Sequence, residues 1–168
     1  GTIITKRKNI NRKRTITGLT STKNDAKVTL VGVKDKPGVA ASVFKPLSQN
    51  YVNVDMVVQT SSSTNRETDI TFTIKSEELP KTVKLIKQNT KIKYRDLLIN
   101  KNVSKVSIIG VGMITTPGVT YRMFKTLADN GINILVISTS EIKISVLISK
   151  KNIKKALSAL HKEFKLNS

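Results

Sequence analysis

Asp35-Lys36-Pro37-Gly38-Val39-Ala40 returns further along the chain as Thr115-Thr116-Pro117-Gly118-Val119-Thr120. Each copy follows a β-branched apolar run and opens a helical pattern, so Pro and Gly stand where a strand turns sharply into a helix N-terminus. The N–H groups of a first helical turn have no intrahelical partner and carry the positive end of the helix dipole, so a carboxylate or phosphate can rest on them. The two prolines, 37 and 117, are 80 residues apart. The same offset pairs Gly32 with Gly112, Gly38 with Gly118, Val39 with Val119, Phe44 with Phe124, Lys45 with Lys125, Leu47 with Leu127 and Asn53 with Asn133. Such a set of identities, with both glycines and the proline among them, indicates a duplicated unit.

Outward from the first turn, Lys27 to Val33 alternates as a strand and Val39, Ala40, Val43, Phe44 and Leu47 fall at helical spacing, with Pro46 interrupting near the end. Val52 to Thr60 predicts a second strand, Ser61 to Glu67 a hairpin loop, and Asp69 to Ile74 a third strand. Glu77, Leu79, Val83, Leu85 and Ile86 mark a second helix, with Ser76 as its N-cap and Pro80 in its first turn. A fourth strand is expected over Lys93 to Ile99. Strand, helix, strand, strand, helix, strand is a split βαβ unit: an α+β fold whose antiparallel sheet carries both helices on one face.

The order then restarts. Lys105 to Val111 reads as a strand, Gly118 to Asn130 as a helix capped by Gly131, Ile132 to Ser138 and Ile142 to Ser149 as strands, and Ile153, Leu157, Leu160 and Phe164 as the face of a last helix. This second unit is one strand short. The short apolar stretch Ile16 to Thr20 can supply that strand, which predicts a first unit over 26–100 inserted into a second made of 15–25 and 101–168, behind a connector over 1–14.

Composition removes several function classes. Cysteine and tryptophan are absent and the single histidine, His161, lies on the C-terminal amphipathic pattern, so thiolate chemistry is unavailable and neither a His-based metal cluster nor a His-dependent triad is expected within one chain. No catalytic residue, metal ligand or cofactor is expected. The longest apolar runs, Val28 to Val33 and Ile132 to Ile137, are far shorter than the roughly 20 residues of a membrane helix. A soluble, cytoplasmic protein is expected, and the start at Gly1 reads as a fragment or processed chain. Thirty Lys and Arg against eleven Asp and Glu give a formal charge of +19. Nucleic-acid binding on that charge would call for aromatic stacking platforms, yet there are four Phe and three Tyr, with Phe44, Phe72 and Phe124 at core positions. The dense patch Lys6, Arg7, Lys8, Arg12, Lys13 and Arg14 reads as a solvated linker.

An amino acid is a fitting occupant for the repeated turn. Its carboxylate wants helix N–H groups, its ammonium wants carbonyls or a carboxylate, and its side chain a small shaped pocket. Gly38 lets a ligand approach, Val39 and Ala40 offer N–H groups, and Asp35, Asn53, Asp55 and Gln59 stand at strand and turn ends. Val119, Thr120, Asn133, Ser140 and Glu141 have the corresponding places in the second copy. Each also has a plain structural reading: Asp35 as a turn former, Asn53 as a backbone partner, the glycines as enablers of the turn. Recurrence in two copies favours binding.

The Asp-Lys-Pro-Gly turn, Asn53-Val54-Asp55-Met56-Val57, Asp69-Ile70-Thr71-Phe72 and, most specifically, Ile137-Ser138-Thr139-Ser140-Glu141-Ile142-Lys143-Ile144-Ser145 together resemble the regulatory region of bacterial aspartokinase, a pair of ACT domains. The likeness runs from Ile16 onward, and even Gly1-Thr2-Ile3-Ile4 resembles the end of that family's kinase domain. The resemblance implies tandem ferredoxin-like βαββαβ units, no catalytic activity in this chain alone, and a homodimer formed through ACT units. It implies partnership with an aspartokinase catalytic domain or alpha subunit, and lysine or threonine as effectors in feedback inhibition. By matching motifs, Asp35, Lys36, Pro37, Gly38, Val39, Ala40, Asn53, Val54, Asp55 and Gln59 would line one class of effector site. Val119, Thr120, Asn133, Ile134, Ser140 and Glu141 would complete the sites across the dimer, with Asp55 or Glu141 available to a lysine ammonium. Thr115-Thr116 stands where the first copy has an acidic residue, which points to different ligands for the two sites. An ACT-type subunit of another biosynthetic enzyme and a basic RNA-binding protein are the competing readings, the second lacking an exposed aromatic pattern such as Lys/Arg-Gly-Phe-Gly-Phe.

Overall fold

Alternation in the strands and 3.6-residue spacing in the helices sort the apolar side chains into two separate cores. In the computed structural model, which describes residues 16–62, 64–110 and 118–165, the elements run β1 (Ile16–Ser21), β2 (Asp25–Lys34), α1 (Val39–Gln49), β3 (Val57–Ser61), β4 (Glu67–Lys75), α2 (Leu79–Gln88), β5 (Asp96–Gly110), α3 (Val119–Asp129), β6 (Ile134–Thr139), β7 (Lys143–Ser149) and α4 (Ile153–Phe164). Two compact units result. One is Asn24–Val103; the other joins the segment ending at Lys23 to Ser104–Ser168.

In the first unit the strands lie in the order β3-β4-β2-β5, every pairing antiparallel. Phe72 pairs with Val28 on one side and Val57 on the other. Inward residues Val28, Leu30, Ile70, Phe72 and Ile74 meet Val43 and Leu47 of α1 and Leu79 and Ile86 of α2, all essentially inaccessible to water. Phe44 meets Phe72 edge-on at 5.3 Å between ring centres, a favoured aromatic geometry. Each of these burials contributes about 1.5–3 kcal/mol relative to exposure.

The second unit repeats the arrangement with a strand from elsewhere in the chain. β1 pairs antiparallel with β5, Leu19 against Ile108, while β5 neighbours β7 and β7 pairs with β6. The N–H of Gly110 donates to the carbonyl of Ile142 at 2.8 Å, and the buried hydroxyls of Ser107 and Ser145 share a 2.6 Å hydrogen bond that satisfies both. Val106, Ile108, Ile144, Val146 and Ile148 face Met123 and Leu127 of α3 and Ala156 and Leu160 of α4. The N-terminal strand therefore completes the second sheet.

The duplication is visible to the atom. α1 and α3 are both 11 residues, 80 apart, and each is preceded by a glycine in the left-handed region, Gly38 at φ 87° and Gly118 at φ 85°. Both helices end in the same Schellman cap. Val52 donates to Leu47 and Tyr51 to Ser48 in the first; Ile132 donates to Leu127 and Gly131 to Ala128 in the second.

Local expectations shift in three places. The strands expected at Lys93 to Ile99 and Lys105 to Val111 are one 15-residue strand, β5, whose residues 96–103 pair with β2 and 106–110 with β1. β3 starts at Val57 and not Val52, because the N–H of Met56 donates to the Thr73 hydroxyl at 3.0 Å instead of a ladder carbonyl. Ser76 is not a side-chain cap; it opens a short 3-10 turn over Ser76–Glu78 that leads into α2. The expected helix runs on through Pro46, which stays inside α1. It has no N–H for the carbonyl of Ser42, and the side-chain amide of Asn89 donates to that carbonyl at 2.8 Å in its place. The connector over 1–14 with its basic patch, and Gly112, Thr115, Thr116 and Pro117, lie outside the described residues.

Candidate functional site

The first repeated turn is built by three hydrogen bonds. The N–H of Asp35 donates to the Arg66 carbonyl at 2.8 Å, tying the turn to the β3–β4 hairpin. Val39 donates to Lys36 at 3.1 Å and Ser42 to Gly38 at 3.0 Å, closing the turn and opening α1. No atom lies within 4 Å of where a Cβ on Gly38 would stand, so the glycine is required by its φ and leaves open space above the helix start. The Val39 N–H is thus engaged within the turn, and the donors that helix geometry leaves facing outward begin at Ala40 and Ala41. Ala41, which the sequence reading did not single out, lines a neighbouring depression with Ser42, Phe44 and Asn89.

Lys36, Pro37, Gly38 and Val39 share an open cleft of about 600 Å³ with Val33, Lys34, Ser42, Thr90, Lys91, Ile92 and Lys93. Four exposed lysines therefore ring a helix N-terminus, which makes the cleft electropositive and suited to a carboxylate. Lys91 and Lys93 come from the segment after α2. Their only sequence signal is their charge.

Asn53, Val54 and Asp55 stand past the other end of α1, an 11-residue helix of about 16 Å. Asn53 and Val54 line a separate depression with Phe44, Tyr51, Val52 and Val57. Asp55 is exposed, its N–H donating to the Thr73 carbonyl at 3.0 Å. Gln59 pairs with Ile70 on the edge strand β3. Within one chain, then, the structure gathers Lys36, Pro37, Gly38 and Val39 into one cleft, which Asp35 and Ala40 do not line, and keeps Asn53 and Val54 in a separate depression.

In the second unit Val119 is buried and Thr120 exposed on the first turn of α3. Asn133 is exposed just before β6, and Ile134 opens that strand and packs against the core. Ser140 and Glu141 are exposed at the β6–β7 hairpin, which closes with the Ser140 N–H donating to the Lys143 carbonyl at 2.8 Å.

An ionic cluster flanks the first turn. β2 bulges between Leu30 and Val33, and Gly32 there has φ +68°. Its N–H donates to an Asp69 carboxylate oxygen at 2.9 Å, and Arg95 and Glu67 meet above it at 2.8 Å. The Glu67 carboxylate raises the Arg95 pKa through its hydrogen bond and its charge. An isolated glycine within an alternating strand is the sequence signal of such a bulge. Among the described residues no cluster of His, Asp and Glu could hold a metal ion, and no helix is long and apolar enough to cross a membrane.

Comparison with known proteins places this geometry in a family. The ACT domain model matches residues 28–89 and 106–164. The chain is 42% identical over 153 residues to an aspartokinase of Corynebacterium efficiens, covering 90% of this chain and 36% of that protein. It is 41% identical over 175 residues to an aspartokinase of Helicobacter pylori, covering 99% of this chain and 42% of that protein. It therefore spans well under half the length of these curated relatives. The regulatory subunit of aspartate kinase from Thermus thermophilus, in a ligand-free form, superposes with a TM-score of 0.84 at 33% identity, covering 90% of this chain and 99% of that one. A structure of aspartokinase alpha and beta subunits gives 0.81 at 38% identity, with the same coverage.

Proposed function

The chain belongs to the ACT-domain regulatory region of the aspartokinases, and on that premise we propose that it is an amino-acid sensor which binds lysine, threonine or both and sets the activity of an aspartate kinase catalytic domain or alpha subunit. The observation that carries this reading is the pair of left-handed glycines, Gly38 and Gly118, each opening an 11-residue helix beside polar strand ends. A free amino acid has the carboxylate such a turn holds.

The effector carboxylate rests on the outward N–H groups of Ala40 and Ala41, or of Thr120 and Tyr121. Asp55 and Glu141 serve the ammonium groups. Because Asn53, Val54 and Asp55 stand apart from the turn within one chain, a complete site draws on a second copy, in a homodimer formed through ACT units. Binding to one arrangement of that dimer more tightly than to another shifts the catalytic part toward its inactive state by the difference in affinity, typically about 1–3 kcal/mol. Inhibition of the catalytic part by an end-product amino acid is feedback inhibition.

Calorimetric titration with L-lysine, L-threonine and L-methionine tests this. Saturable binding of lysine, threonine or both is expected, with Gly38→Ala or Gly118→Ala weakening it. Absence of binding by both lysine and threonine, whether or not methionine binds, would refute the reading.

A further inference from the structure

The first turns of α1 and α3 are each fastened to the second helix of their own unit, at the same repeat position and by different chemistry. Ser42 and Arg122 are 80 residues apart, and each is the residue whose N–H closes the first helical bond, to Gly38 and Gly118 respectively. In the first unit the fastening is a single neutral bond, from the Asn89 side chain to the Ser42 carbonyl. In the second it is ionic and forked. The Nε of Arg122 donates to a Glu163 carboxylate oxygen at 3.0 Å, its terminal nitrogen donates to the Glu163 carbonyl at 3.0 Å, and its guanidinium lies 4.7 Å from the centre of the Phe164 ring. The arginine side chain supplies two directed donors and a cationic stacking plane at once, which lysine cannot.

The helix does not need this fastening for its own closure. Pro46 leaves the Ser42 carbonyl without a helical donor, which accounts for Asn89; the Arg122 carbonyl is not so deprived and also accepts the Thr126 hydroxyl at 2.6 Å. Arg122 is half-exposed, so its pairing adds little stability. Its consequence is geometric: it holds the first turn of α3, and with it the directions of the Thr120 and Tyr121 N–H groups, against the last turn of α4.

We propose that Arg122, gripped by Glu163 and Phe164, is the positioning residue of the second unit's effector turn, so that effector binding there is coupled to the C-terminal end of α4. This rests on the amino-acid-sensor reading above. Loss of the grip leaves the turn folded and its donors misaligned, and affinity falls without loss of the fold.

The test uses the full chain as wild type, Arg122→Met, Arg122→Lys and, as a control in the first unit, Asn89→Ala. Hydrogen exchange is followed at residues 119–123 and 39–43, and the dissociation constant is measured well below the melting temperature for whichever of L-lysine and L-threonine the wild type binds. Arg122→Met is expected to speed exchange at 119–123 alone and to weaken binding of one amino acid about fivefold or more. Arg122→Lys is expected to resemble it, since lysine keeps the charge and loses the fork. Asn89→Ala is expected to act on 39–43 alone. Unchanged affinity in Arg122→Met beside normal wild-type binding would overturn the proposal, even if the melting temperature drops. If the wild type binds neither amino acid, the sensor reading fails by itself, and exchange decides the rest: acceleration confined to 119–123 supports the grip, and unchanged exchange overturns it.

Discussion

Replacing Gly32 by alanine tests the architecture that supports the first turn. Gly32 sits in the β2 bulge at φ +68°, two residues before Lys34, where the strand gives way to the turn. A residue with a Cβ pays about 1–2 kcal/mol in this region of backbone space. Alanine returns about 0.4–1 kcal/mol by reducing the freedom of the unfolded chain. The new methyl would also overlap the ends of the Arg95 and Glu67 side chains, whose ion pair bridges the glycine. Those ends are flexible and solvent-screened, so they yield at modest cost. The net expectation is a loss of about 1 kcal/mol from backbone strain, with the broken bridge adding to it. Gly38→Ala supplies an internal control, because Gly38 has φ +87° and nothing within 4 Å of its missing Cβ. Urea denaturation of both variants reads the midpoint and slope. Gly32→Ala should fall further than Gly38→Ala, and the difference should shrink when Arg95→Ala removes the obstruction. Equal stability of Gly32→Ala and wild type would refute the bulge and bridge assignment.

Two further substitutions should stabilise the protein. The Thr82 hydroxyl is fully buried on α2 without a hydrogen-bond partner, so Thr82→Val should gain about 1 kcal/mol, read as a rise of about 2–4 °C in melting temperature. Tyr51 holds φ 60° at the Schellman position that Gly131 fills in the second copy, and it is 88% exposed, so Tyr51→Gly should gain a few tenths to about 1 kcal/mol in the same scan. The hydrogen bond and charge of Asp129 raise the Lys125 pKa above its ordinary 10.5, so that pair's contribution is fully present below pH 10.5 and is lost as pH rises through the higher folded value. Lys125→Met should remove that alkaline phase from a stability-against-pH curve.

The elements were legible because their signals are local. Alternation marks β2, β4 and β7, the spacing of Val39, Val43 and Leu47 marks α1, and Gly131 announces the end of α3. The place of β1 was legible only by counting strands, since nothing within Ile16–Ser21 names its partner; Leu19 finds Ile108 across the chain. Tertiary chemistry was not legible. The cap at Tyr51 hides behind a residue that rarely takes φ 60°, while its counterpart at Gly131 is plain. Pro46 read as an interruption near the end of α1 because Asn89, which satisfies the carbonyl it abandons, lies 47 residues from Ser42. For the site, the turn residues could be picked from the repeat, and Gly32 carried an unread sign of the bulge. Lys91, Lys93 and the partners of Arg122 carried no motif, because an open cleft and a helix grip recruit by position in space.

The central claim is that an amino-acid carboxylate rests on the first-turn N–H groups beside a left-handed glycine. Titrating the ¹⁵N-labelled chain with L-lysine and L-threonine, and following its backbone amide resonances, tests that claim most directly. Saturable shifts should be largest at Ala40 and Ala41, or at Thr120 and Tyr121. Saturable binding that leaves all four of these amides unmoved, or no shift at any amide with either amino acid, would contradict it.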